Sequence, residues 1–75
     1  MKEDYLLNKF LEEMKHVLES HREKKGDSWK EVSIPFLENK LNKEVKEYFY
    51  ERLPKAKHEL IDIANICFML WTRFD

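Results

Sequence analysis

Residues 55–74 are predicted to form a helix that is apolar on nearly every side, and this limits the choice of fold more than any other feature. In the stretch HELIDIANICFMLWTRF, hydrophobic side chains fall on all faces of a helix, so other elements have to cover most of it. The segment also contains Glu59 and Asp62 and is too short to span a bilayer. We therefore expect a protein with no membrane partner, in which the rest of a 75-residue chain packs around this helix.

Two earlier segments have the periodicity of amphipathic helices. Apolar residues recur at three- and four-residue steps from about residue 3 to 23 and again from about 34 to 53. No stretch alternates apolar and polar residues over the length of a strand. The sequence therefore predicts an all-α fold, with residues 1–75 forming one domain of three helices.

Glycine and proline mark the connections between these helices. Gly26, the only glycine, lies in a predicted loop over 24–32, and Ser33 stands where an N-cap of the second helix is expected. Pro54 is expected to end the second helix, because its ring disfavours a helical residue before it. Both connections are short, so successive helices are expected to be antiparallel neighbours.

A chain of only three helices hardly suffices to cover its own apolar third helix, so we predict self-association. Helices from two chains would complete a four-helix-bundle-type dimer or tetramer. The single cysteine, Cys67, excludes a disulfide within the chain and fits a reducing, cytoplasmic location. Fourteen basic and fifteen acidic residues give a net charge of −1, which argues against a nucleic-acid partner.

Two pairs of acids share one spacing on the last two helices. Glu44 and Glu47 lie three residues apart on the second helix, as do Glu59 and Asp62 on the third. A carboxylate at position 44 would be desolvated, because it falls on the apolar face of its helix. Antiparallel packing would bring the two pairs face to face. Four converging carboxylates would repel one another unless they surround a hard divalent cation, Mg²⁺, Mn²⁺ or Ca²⁺, and Mg²⁺ in turn indicates a phosphorylated ligand. The alternative is a solvent-facing acidic strip.

The ordered pair of motifs, KEVKE followed by ELID, resembles the MazG-like all-α nucleoside triphosphate pyrophosphohydrolases. The segments DIAN and HREKKGDSWKE resemble a MazG-related subgroup, so the similarity covers roughly residues 21–74. The chain departs from the family at Lys43, where a second acid is often found. Residues 44 and 47, the Glu-x-x-Glu core, are retained.

The resemblance implies a cytoplasmic, Mg²⁺-dependent enzyme that converts a nucleoside triphosphate to a monophosphate and pyrophosphate. Its role would be to remove aberrant or surplus nucleotides from the cell, known as house-cleaning. It implies that the acids above bind Mg²⁺ or Mn²⁺ and that one of these four carboxylates activates water. The sequence does not rank the four, and Glu47 is our choice for this role. Many members of the family continue into a further basic helix, which we do not expect in this sequence. Phosphate contacts are therefore expected from the segment HREKK (residues 21–25) or from a partner chain. The alternative is a non-catalytic oligomerisation or nucleotide-sensing module that keeps the acidic motif.

Four other residues are candidates for binding the substrate, and each has a structural alternative. Asn65 could hydrogen-bond sugar or phosphate, or else form an interhelical hydrogen bond. Trp29 could stack on a base, or else close the loop as a core aromatic residue. Arg22 and Lys25 could hold phosphates, or else be solvated beside the turn.

Overall fold

The computed structural model describes residues 2–50 and 52–74, and these form three α-helices with no strand. Helix α1 spans Lys2–Lys25, α2 spans Ile34–Tyr50 and α3 spans Arg52–Trp71, with a 3-10 turn over Ser28–Lys30 between the first two helices. The all-α prediction is therefore confirmed. Within the described residues, no helix combines the length and the apolar character that crossing a bilayer requires.

The connection between α1 and α2 follows the turn and capping chemistry of its residues. Gly26 has φ 65°, a left-handed conformation that glycine adopts without steric cost, and its N–H donates to the Arg22 carbonyl (2.8 Å) as α1 ends. At the start of α2, the Phe36 N–H donates to Ser33 Oγ (3.2 Å). Ser33 is therefore the N-cap that the sequence predicts.

The boundary between the last two helices differs from the prediction. Helix α2 ends at Tyr50 and α3 begins at Arg52, so Pro54 lies in the first turn of α3 instead of ending α2. A proline is tolerated there because the first N–H groups of a helix have no acceptor within the helix. Helix α3 also ends three residues before the predicted 74, and Thr72 Oγ1 donates to the Met69 carbonyl (2.7 Å) just after its end.

The packed core of the described residues lies between α2 and α3. Leu37 of α2 and Ile61 and Ile66 of α3 are each exposed by 4% or less. Helix α1 packs against α3 but contains no buried residue. The chain is thus a helical hairpin with a longer helix laid against one side of it.

A large amount of apolar surface remains exposed. The accessible surface of the chain is 6328 Å², whereas a folded monomer of 9.3 kDa typically exposes about 5,000 Å². The radius of gyration, 13.2 Å, also exceeds the value of about 11 Å expected for 75 residues. The large hydrophobic side chains that are more than half exposed include Tyr5, Leu6, Leu7, Phe36, Phe49, Tyr50, Trp71 and Phe74.

Candidate metal centre and adjoining cleft

The packing of α2 against α3 brings three of the four predicted metal ligands together. Glu44, Glu59 and Asp62 each place one carboxylate oxygen within 4.8 Å of the other two. Glu59 is buried at 7% exposure, and the other two side chains are half-buried. We call these three residues the acid cluster. Their separation allows one divalent cation to bind oxygen atoms from all three.

Glu47, the fourth predicted ligand and the predicted base, is not part of the acid cluster. It is half-buried, and its negative charge is the largest charge effect acting on Glu44. The side chain therefore lies beside the acid cluster without sharing its centre. This position leaves the Glu47 carboxylate available for a role other than direct ligation.

The acid cluster is electrostatically unfavourable in the absence of a cation. Burial raises the pKa of Glu44 from 4.5 to about 7, and the charge of Glu47, a hydrogen bond with Glu59 and the charges of Asp62 and Glu59 add to this effect. In addition, Glu59 Oε2 is buried and has no hydrogen-bond partner within the described residues. His58 Nε2 lies 3.8 Å from Asp62 Oδ2, but this histidine is on the exposed side of the cluster. A hard cation would both relieve the repulsion and coordinate the unpaired oxygen.

A cleft of about 270 Å³ adjoins the acid cluster. Glu44 and Asp62 contribute to its wall, and so do the basic residues Lys25 and Lys40. The remaining wall is mainly apolar, and it includes Trp29, Val32, Phe36, Leu37, Ile66 and Met69. A cleft with acidic, basic and apolar parts suits a ligand that has a metal-bound anionic end and a less polar end.

The predicted substrate-binding residues divide into those that line the cleft and one that does not. Trp29 and Lys25 line it, and the Trp29 ring also packs against Phe68 with centroids 6.2 Å apart. Arg22 is not part of the wall, and its Nε lies 3.5 Å from Asp27 Oδ1 on the exposed side of the turn. The structure thus separates the two basic residues that the sequence grouped together.

Asn65 forms the interhelical hydrogen bond that is its structural alternative, and it also lines the cleft. Its Nδ2 donates to the Met14 carbonyl of α1 (3.3 Å), so it links α3 to α1. The side chain is buried at 3% exposure, and its Oδ1 has no hydrogen-bond partner in the described part of the chain.

One residue of the cleft wall, and one residue that binds the backbone of the wall, were not predicted from the sequence. Lys40 lines the cleft one helical turn before Glu44, and its i,i+4 spacing from that acid was the signal available. Arg73 donates from Nη2 to the carbonyls of Trp29 (3.1 Å), Lys30 (2.8 Å) and Val32. No local pattern marks Arg73, because its partners lie more than 40 residues away along the chain.

Comparison with known proteins adds no relative, since no family model, curated protein or solved structure matches this chain.

Proposed function

We propose that the chain is a Mg²⁺-dependent nucleoside triphosphate pyrophosphohydrolase of the MazG-like type, which cleaves a triphosphate to a monophosphate and pyrophosphate. The observation that supports this most directly is the acid cluster, which adjoins a cleft containing Lys25 and Lys40 and includes a buried Glu59 oxygen with no hydrogen-bond partner among the described residues. Mg²⁺ binds carboxylate oxygens and shares its coordination shell with substrate phosphates. A complex of Mg²⁺ with a triphosphate needs carboxylates for the metal and basic side chains for the phosphates, and both are found here side by side.

The acid cluster would hold Mg²⁺, with Mn²⁺ as a substitute, and Glu59 would contribute its otherwise unpaired oxygen. When bound, the ion would neutralise charge that develops on the phosphates. Lys25 and Lys40 would bind phosphate oxygens from the cleft wall. The apolar wall at Trp29 and Met69 would contact the less polar part of the nucleotide and exclude water from it.

Glu47 is the residue we assign to water activation. Because Glu47 lies beside the acid cluster and outside it, its carboxylate can accept a proton from the attacking water. The water oxygen then forms a bond to the α-phosphorus, and the bond from this phosphorus to the bridging oxygen breaks. Pyrophosphate leaves with the bridging oxygen, and the proton on Glu47 passes to solvent.

The test is to incubate the folded protein with each ribo- and deoxyribonucleoside triphosphate and Mg²⁺, and to measure pyrophosphate and monophosphate together. Wild-type protein should release both in equal amounts from at least one nucleotide. Glu59→Gln should abolish release, because it removes the buried ligand charge. Glu38→Gln, an exposed acid on the same helix as Glu44, should leave it unchanged. If no nucleotide gives pyrophosphate, the proposed activity is wrong.

The second candidate function is a non-catalytic oligomerisation or nucleotide-sensing module that retains the acidic motif. Its supporting observation is that Arg22 pairs with Asp27 outside the cleft, which leaves fewer cationic side chains for a triphosphate. Mg²⁺-dependent binding of a nucleotide without release of pyrophosphate would select this function over the enzyme.

Self-association into a dimer or tetramer is part of the proposal. The chain exposes roughly 1,300 Å² more than a monomer of its mass should, and two copies covering that area would bury an amount typical of obligate homodimers. Helix α1 supplies much of this surface, because none of its residues is buried. The cytoplasm is the compartment we propose, since the lone Cys67 has no disulfide partner in the chain.

A further inference from the structure

The side-chain amide of Asn65 is held in one orientation. Its Nδ2 donates to the Met14 carbonyl of α1 at 3.3 Å. A carbonyl oxygen only accepts hydrogen bonds, so turning the amide over would place two acceptors against each other. The position of Oδ1 is therefore fixed by the packing of α1 on α3.

This fixed oxygen is an unpaired acceptor in a buried position. Asn65 is 3% exposed, and its Oδ1 has no hydrogen-bond donor within the described residues. An unpaired buried acceptor destabilises a fold, whereas a leucine of similar size would leave none. An N–H or O–H group from outside the described residues would remove this cost by donating to the atom.

Asn65 lines the same cleft as Glu44 and Asp62. It follows Asp62 by three residues on α3, so it lies about 4.5 Å further along the helix axis. If a ligand binds the acid cluster through its phosphates, the part of the ligand next to those phosphates lies level with Asn65 in the cleft.

We propose that Asn65 Oδ1 determines ligand specificity, by accepting a hydrogen bond from an N–H or O–H group that lies next to the phosphates of the cleft ligand. This inference rests on the proposed function. Phosphate oxygens at neutral pH carry lone pairs and no proton, so Asn65 disfavours them at this level. The residue therefore sets the direction of a phosphorylated ligand, with phosphates toward the acid cluster and a sugar hydroxyl or a base N–H toward Asn65.

The experiment compares ligands that differ in single donors. The parent is whichever α,β-methylene analogue of ATP, GTP, CTP or UTP binds the wild-type protein most tightly in the presence of Mg²⁺, measured by calorimetry. Three analogues of it are then compared: a 2′-fluoro sugar, a 3′-fluoro sugar, and a base without N–H donors. On wild-type protein, one analogue should bind at least about tenfold more weakly than the parent, because it leaves Oδ1 unpaired.

The variants show whether the loss acts through Asn65. In Asn65→Leu, the parent and the weakened analogue should bind equally. In Asn42→Leu, the same change at an exposed position of α2, the wild-type difference should persist. The ligand series on wild-type protein stays decisive even if Asn65→Leu does not fold.

The outcomes separate this inference from the proposed function. The proposed site stands if the parent binds and Glu59→Gln abolishes this binding. If all three analogues then bind wild-type protein as tightly as the parent, the donor requirement alone is wrong. That result would mean that a trapped water alone satisfies Oδ1. If no nucleotide binds, the proposed function and this inference both fall.

Discussion

Deprotonation of Glu44 in the acid cluster should destabilise the chain when no divalent cation is present. The pKa of Glu44 is raised from 4.5 to about 7 in the fold, mainly by burial. Between these values the folded state therefore retains a proton that the unfolded state has lost. Stability contributed by this proton is fully present below pH 4.5 and is lost as the pH rises through about 7.

The size of the effect follows from the shift. A full change of this size corresponds to about 3 kcal/mol in the free energy of unfolding, at 1.36 kcal/mol per pKa unit. Glu44 is only half-buried, so solvent screening reduces the expected loss to about 1–2 kcal/mol. For a domain of this size, each kcal/mol shifts Tm by about 4–8 °C.

Urea denaturation followed by circular dichroism measures this directly. The free energy of unfolding should fall from about pH 4.5 to about pH 8 in EDTA, at one fixed protein concentration. Millimolar Mg²⁺ should restore stability at the upper pH, where Glu44 is charged, and should have little effect at the lower pH.

Matched variants show whether Glu44 is responsible. Glu44→Gln should flatten the pH dependence above pH 4.5 and weaken the response to Mg²⁺, whereas Glu38→Gln should behave as wild type. The reasoning is refuted if wild-type stability rises steadily over this range in EDTA. Equal stabilisation of wild type and Glu44→Gln by Mg²⁺ would contradict it as well.

Three further predictions concern the base, the cleft wall and the exposed helix. Glu47→Gln should lower kcat by about 10²–10⁴-fold, while the affinity for Mn²⁺ measured by calorimetry stays near that of wild type. If kcat and Mn²⁺ affinity fall together, Glu47 is a metal ligand and not the base. Arg73→Gln should destabilise the chain by about 2 kcal/mol in urea, because it removes charged hydrogen bonds to three carbonyls, and unchanged stability would show that they contribute nothing. Phe10→Glu should lower the mass measured by light scattering toward 9.3 kDa, whereas Lys15→Glu, on an exposed position of the same helix, should not. A wild-type protein that already has the monomer mass would exclude this interface.

The parts of the fold that depend on local chemistry were predictable from the sequence. The three helices follow from apolar spacing, and the start of α2 follows from the Ser33 side chain. The approach of Glu44 to Glu59 and Asp62 was also predictable, because it needs only equal spacing on two antiparallel helices. Each of these depends on a periodicity or a cap that the residues themselves encode.

The remaining features depend on contacts between distant residues. The position of Pro54 was mispredicted, because a proline is compatible both with ending one helix and with the first turn of the next. The placement of Glu47 beside the acid cluster depends on how far α2 is rotated against α3, which spacing alone does not fix. The pairing of Arg22 with Asp27 depends on the shape of the turn at Gly26.

The hydrogen bonds of Arg73 also connect the end of α3 to residues 29–32, so we expect these two segments to open together. The Arg73 guanidinium lies just beyond the end of α3 and donates hydrogen bonds to the backbone carbonyls of residues 29, 30 and 32. The side chains of Trp29 and Val32 form part of the cleft wall. Fraying of the last turn of α3 would release all three carbonyls at once. The backbone amides of this segment and of that helix end should therefore exchange with deuterium as one cooperative unit, and the rate at which the cleft opens would be set by a helix terminus.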